Sequence, residues 1–142
     1  QWKTGHYDAK LAYTPEELEA FLAPLTDAGV DIFDCSTRRF WEPEFEGSRL
    51  NLAGWTRKLT GKPTISVGSV GLKGDFTNAF DGGPEAEAAS VEPLVERLKA
   101  GEFDLIAVGR ALLADAEWAE KIRHAREKEI HLFTKEDLKT LK

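Results

Sequence analysis

The stretch Glu102–Asp115, EFDLIAVGRALLAD, decides how the rest of the chain is read. Leu105-Ile106-Ala107-Val108 is an unbroken apolar run of strand length. It stops at Gly109 and Arg110 and turns at once into helix-forming sequence. A core strand needs no charged residue at its tip, whereas a binding site often does.

The same grammar recurs toward the N-terminus. In YTPEELEAFLAPLTDAG, Thr14 stands as N-cap, Pro15 at the first helical position and Glu17 at the capping-box position. Leu18, Phe21, Leu22 and Leu25 then share one face until Gly29. A short apolar run, Ile32 to Cys35, follows. NLAGWTRKLT, residues 51–60, reads as a second helix stopped by Gly61, with Trp55 and Leu59 as core residues. KPTISVGSVG then gives a strand over Thr64–Val67 that ends in glycines. After the Gly- and Asp-rich stretch FTNAFDGGPEAEAA, Ser90 is placed to cap a third helix through Lys99, and Gly101 precedes the third strand.

Strands apolar on both faces and separated by helices belong to parallel sheets, so the expected class is α/β. Units of about 33 to 40 residues fit either a doubly wound sheet or a (β/α)8 TIM barrel. A whole barrel takes roughly 250 residues. A chain of 142 residues is then about half of one, forming a single domain over 1–142.

Composition narrows the function classes. No apolar run approaches the roughly 20 residues of a membrane span, and QWKTGHYDAK has no signal-peptide pattern. A formal charge of −6 with dispersed acidic residues argues against a nucleic-acid groove. The one cysteine, Cys35, has no partner for an internal disulfide. It reads as a buried strand thiol rather than a catalytic thiolate, in a reducing, cytoplasmic setting. The chain has no Met, even at position 1, which points to a chain processed, cut or truncated.

The strand tips carry the candidate chemistry. In VGSVG a strand opens into a tight turn whose glycines let backbone N–H groups approach an anion. In VGRALL, Gly109 does the same and Arg110 adds a fixed cation. Either motif alone is compatible with ordinary turn geometry or an ion pair. Their pairing on consecutive strands, at the same end, points to one phosphate cradle.

These residues carry a resemblance. STRRFWEPEFEGSRLNLAGWTRKLTGKPTISVGSVGL, continuing to FDLIAVGRALLADAEW, resembles the C-terminal half of the Old Yellow Enzyme family of FMN-dependent NADH:flavin oxidoreductases, over nearly the whole chain. The resemblance implies a (β/α)8 barrel of which this chain supplies strands six, seven and eight. It implies that Gly109 and Arg110 bind the FMN phosphate, with backbone N–H groups from Ser69, Val70 and Gly71. The short helix from Ala111 would aim its positive end the same way. The reaction implied is reduction of activated alkenes such as enones, with NAD(P)H as reductant.

The same resemblance places the substrate-activating His pair or His-Asn pair, the Tyr proton donor and a flavin-contacting Arg on earlier strands. No catalytic residue is therefore assigned in this chain. His6, His124 and His131 read as surface residues, and no metal site is expected. The loop STRRFWEPEFEGS, residues 36–48, either walls a substrate or flavin pocket through Phe40 and Trp41, or packs on its own rim. The expected partners are FMN, a small alkene, and either the N-terminal half of the barrel or further copies of the chain. Two other readings are a non-enzymatic, self-associating half-barrel and the phosphate-binding half of a different barrel enzyme.

Overall fold

A computed structural model describes residues 6, 8–73 and 88–139. The stretch read as FTNAFDGGPEAEAA falls largely outside them. The chain divides into two compact units, one of Gln1–Gly68 with Glu92–Ala107 and the other of Ser69–Val91 with Val108–Lys142.

The first unit holds the sheet. Strand β1 (Phe33–Ser36), β2 (Thr64–Val67) and β3 (Leu105–Ala107) pair in parallel, in the order β1-β2-β3. The register sets Phe33 against Thr64 and Ile65 against Leu105. Helix α1 (Pro15–Asp27) packs on α2 (Leu52–Thr60), which lies on β1 and β2; α3 (Glu92–Lys99) precedes β3.

The α/β class and the parallel strands match the sequence reading, but the barrel does not. The described residues form a small three-stranded sheet with five α-helices, ending at β1 on one side and β3 on the other. A barrel exists only when strand pairing closes on itself, and three strands in sequence order leave both outer edges open. The spacing that allowed half a barrel, to which the resemblance gave strands six to eight, reports alternation of helix and strand. It does not report closure.

Local signals explain the helix boundaries. The Thr14 hydroxyl accepts from the Glu17 N–H at 3.2 Å and Pro15 opens α1. The Glu17 carboxylate reaches past the cap to accept from the Tyr13 N–H at 2.7 Å. Of the expected apolar face, Leu18 and Leu22 are buried, while Phe21 and Leu25 remain exposed. Asn51 caps α2 by accepting from the Gly54 N–H, and left-handed Gly61 ends that helix. The third helix starts at Glu92, two residues beyond Ser90.

The long loop after β1 is held by buried polar groups. The Asn51 amide donates to the Phe40 carbonyl at 2.9 Å and to the Ser66 hydroxyl at 3.0 Å. The Arg97 guanidinium donates to the carbonyls of Phe40 at 2.7 Å and Arg49 at 2.6 Å, and pairs with Glu102 at 2.7 Å. The Lys10 ammonium closes the far side on the Glu44 carbonyl and carboxylate. Gly68 is needed for close approach: its φ is +146°, and a Cβ there would lie 2.9 Å from the Arg39 nitrogen and the Thr37 oxygen.

Removing Arg97 takes the donor from the Arg49 carbonyl, leaves the Phe40 carbonyl with Asn51 alone, and leaves the buried Glu102 carboxylate with Arg49 at 2.8 Å as its remaining basic partner. Arg97→Ala is expected to destabilise the chain by about 2 to 4 kcal/mol. Urea unfolding measures this, with limited proteolysis reporting on residues 37–50. An unchanged midpoint and an uncut loop would show that the loop is held by other contacts.

Cys35 is buried in β1, and burial pushes its thiol up to about 11, with Thr56 hydrogen bonding opposing the rise only in part. At pH 8 the thiol is therefore protonated in the native chain. It should react with an aromatic disulfide reagent only on unfolding, and prompt native-state labelling would contradict this account.

Candidate functional site

All five residues expected to cradle a phosphate fall in the second unit. Chain leaving β2 enters a turn closed by the Leu72 N–H donating to the Ser69 carbonyl at 3.2 Å. Ser69 has φ +51° and Gly71 has φ +71°, so two of the four turn residues are left-handed. Chain leaving β3 passes Gly109 and enters α4 (Arg110–Ala114). The helix starts at Arg110 rather than at Ala111 and has only five residues, so its dipole is a minor contribution.

The two segments meet through side chains. Arg110 Nη2 lies 3.4 Å from Ser69 Oγ, and the Arg110 guanidinium carbon lies 5.9 Å from the centre of the Phe133 ring. The aromatic face and the hydroxyl restrict where the guanidinium points. A guanidinium and a hydroxyl together supply several donors and a fixed positive charge, a donor set suited to an oxyanion.

The glycines have different roles. A Cβ on Gly109 would meet nothing within 4 Å, so space beside its backbone is open. A Cβ on Gly71 would come 3.1 Å from the Trp118 indole, and its left-handed φ already favours glycine. Gly71 thus serves turn geometry and packing. The Val70 side chain is buried, leaving only its backbone to face a ligand.

Phe40 and Trp41 belong to the first unit. Phe40 is buried and its ring meets Trp41 edge-on at 5.1 Å, while Trp41 is 40 % exposed. Trp41 thus keeps accessible ring surface, and Phe40 supports it from beneath. Among the helix aromatics, Trp55 packs edge-on against Phe45 at 5.4 Å.

The sequence reading missed Asp115. Its carboxylate is buried, accepts from Lys121 Nζ at 2.7 Å, from the His131 N–H at 2.9 Å and, through the other oxygen, from the Glu117 N–H at 3.0 Å. It ties α5 (Trp118–Arg123), through Lys121, to His131 in the segment between the 3₁₀ turns Glu127–Glu129 and Lys135–Leu138. The signal was an Asp following α4 with a Lys six residues on, too common a pattern to single out. His131 also brings its ring 3.4 Å from the buried Asp137 carboxylate, and His124 pairs with Glu120 on the surface.

A cavity of about 270 Å³ lies in this unit, walled chiefly by Leu72, Trp118, Ile122, Ile130 and Phe133. Neither Ser69 nor Arg110 lines it, but Gly71 of the cradle does, as does Phe133, whose ring faces the Arg110 guanidinium. Among the described residues no group of three or more His, Cys, Asp or Glu is placed to hold a metal, and no helix is long and apolar enough to cross a membrane. Compared with known proteins, the chain matches no family model and no curated protein.

Burial disfavours the charged form of Asp115, but the bonds from Lys121, His131 and Glu117 outweigh it and hold the carboxyl below its usual value. A native group that binds its proton less readily than the unfolded one stabilises the fold above the unfolded pKa of about 3.9, and that contribution disappears as pH falls through the native value. Asp115→Asn is expected to lower the urea midpoint at pH 7, and the gap to the parent chain should narrow by pH 3. A gap that stays constant with pH would remove Asp115 ionisation from the stability of this unit.

Proposed function

We propose that the chain holds the phosphate of flavin mononucleotide through Arg110 and Ser69, in the service of an oxidoreductase that transfers hydride from NADH or NADPH to an activated alkene. The observation that carries this reading is the 3.4 Å approach of the Arg110 guanidinium to the Ser69 hydroxyl, built from the same two glycine-containing turns that carry the Old Yellow Enzyme resemblance. The donor set fits a phosphate. Arg110 supplies a charge that does not titrate in the physiological range, Ser69 supplies a hydroxyl that turns to donate, and open space at Gly109 lets an anion reach the backbone.

When bound, the flavin would supply the hydride acceptor and donor. Arg110 and Ser69 would fix the phosphate end and hold the cofactor in one orientation. Trp41, with part of its ring accessible, is the residue of this chain best suited to wall a small apolar substrate. The groups that activate the alkene are expected on another polypeptide segment, so this chain contributes binding and no proton transfer. A buried, unpaired thiol at Cys35 accords with a reducing, cytoplasmic compartment.

The glycine environments choose the test. Arg110→Ala is expected to weaken FMN binding by about 2 to 4 kcal/mol while leaving riboflavin, which has no phosphate, unaffected. Gly109→Val should act in the same direction without unfolding the chain, because its side chain enters open space. Gly71→Val would meet the Trp118 indole and reports on folding instead. Flavin fluorescence titration reads these affinities, and FMN binding unchanged in Arg110→Ala would overturn the assignment.

A further inference from the structure

The cavity in the second unit is held open by the hydrogen bonds behind its walls. Leu72, Ala111, Trp118 and Phe133 line it and are themselves buried. The Leu72 N–H donates to the Ser69 carbonyl at 3.2 Å and the Ala89 N–H to the Gly71 carbonyl at 3.0 Å. The Trp118 N–H donates to the Asp115 carbonyl at 3.0 Å and the His131 N–H to the Asp115 carboxylate at 2.9 Å, which fixes α5 relative to segment 130–133. Closing the space would break these bonds. Native interiors leave few voids larger than a water molecule, so about 270 Å³ exceeds an ordinary packing gap.

The lining sets the chemistry of an occupant. Leu72, Ile122, Ile130 and the rings of Trp118 and Phe133 are apolar, and no Lys or Arg is among the described lining residues. His131 also lines the cavity, with its ring engaged by the Asp137 carboxylate at 3.4 Å. Exposed Ala88, Ser90 and Glu127 complete the lining and mark its opening to solvent. An anion entering there would meet the Glu127 carboxylate and find neither Lys nor Arg to replace its water. A neutral ring loses little hydration and gains edge or face contacts with two aromatic walls. A cavity of about 150 Å³ lined by Leu, Ile and Phe admits benzene, so the larger volume here takes one ring with a short polar arm.

We propose that this cavity is a binding site for a small neutral aromatic molecule, different in chemistry from the anion cradle that it adjoins at Gly71 and Phe133. Arg110 and Ser69, which carry the phosphate reading, do not line it, so either site can fail without the other.

Methyl chemical shifts of Leu72, Ile122 and Ile130 in the labelled full chain follow titration with benzyl alcohol, with benzoate and cyclohexylmethanol as controls. Benzyl alcohol is expected to move the methyls of all three residues saturably, benzoate to leave them unmoved, and cyclohexylmethanol to bind severalfold more weakly. Ala88→Trp sets bulk at the open rim, where the exposed position spares the fold, and should weaken benzyl alcohol binding about tenfold or more. Ile130→Trp fills the interior and should give the same loss; if it fails to fold, Ala88→Trp decides. Benzyl alcohol should bind the Arg110→Ala chain as it binds the parent, while FMN titration of the same chain reports on the cradle alone. Benzoate or cyclohexylmethanol binding as tightly as benzyl alcohol, shifts absent or confined to other residues, or an affinity that Ala88→Trp leaves unchanged would overturn the proposal. So would loss of benzyl alcohol binding in Arg110→Ala, which would make the cavity part of the anion site.

Discussion

The parallel ladder through β2 is the constraint on which the other features depend. With Thr64–Val67 bonded to β1 on one side and to β3 on the other, all three strands run in one direction. Parallel pairing forces each connection to cross back over the sheet, which is why a helix separates each strand from the next. It also makes β2 and β3 end side by side, Val67 opposite Ala107. The turns that follow them are the ones in which Ser69 and Arg110 approach each other.

Buried polar groups convert that ladder into a defined structure. Asn51 joins three tasks: it caps α2, holds the Phe40 carbonyl and bonds Ser66 on β2. Arg97 and Lys10 fix the remainder of the loop between β1 and α2. A chain segment without regular structure must satisfy its backbone carbonyls somewhere, and here charged side chains from sequence-distant positions do so. In the second unit Asp115 plays the corresponding part, gathering an ammonium and two backbone N–H groups around one carboxylate.

Two kinds of electrostatics are kept apart in the chain. The concentrated negative charge lies in the α1–β1 segment of the first unit. The cradle in the second unit presents a guanidinium steadied by an aromatic face and a hydroxyl. An anion is suited to the second of these environments.

The sequence by itself determined where the elements lie. Short unbroken apolar runs, Thr14 and Pro15, Asn51 and Gly61 act locally, so their effect on helix and strand boundaries is legible from spacing alone. It also marked Arg110 and Ser69 as strand-tip residues, because polar residues at the ends of apolar runs stand out without any tertiary information. Only the tertiary structure decided which strand edges stay open, since closure depends on pairings that no local period encodes. Only the tertiary structure separated Gly71, placed against Trp118, from Gly109, placed beside open space, although the two look alike in sequence. The Asp115 node was illegible for the same reason: its partners are a side chain and backbone N–H groups brought near by folding, and backbone groups carry no sequence signature.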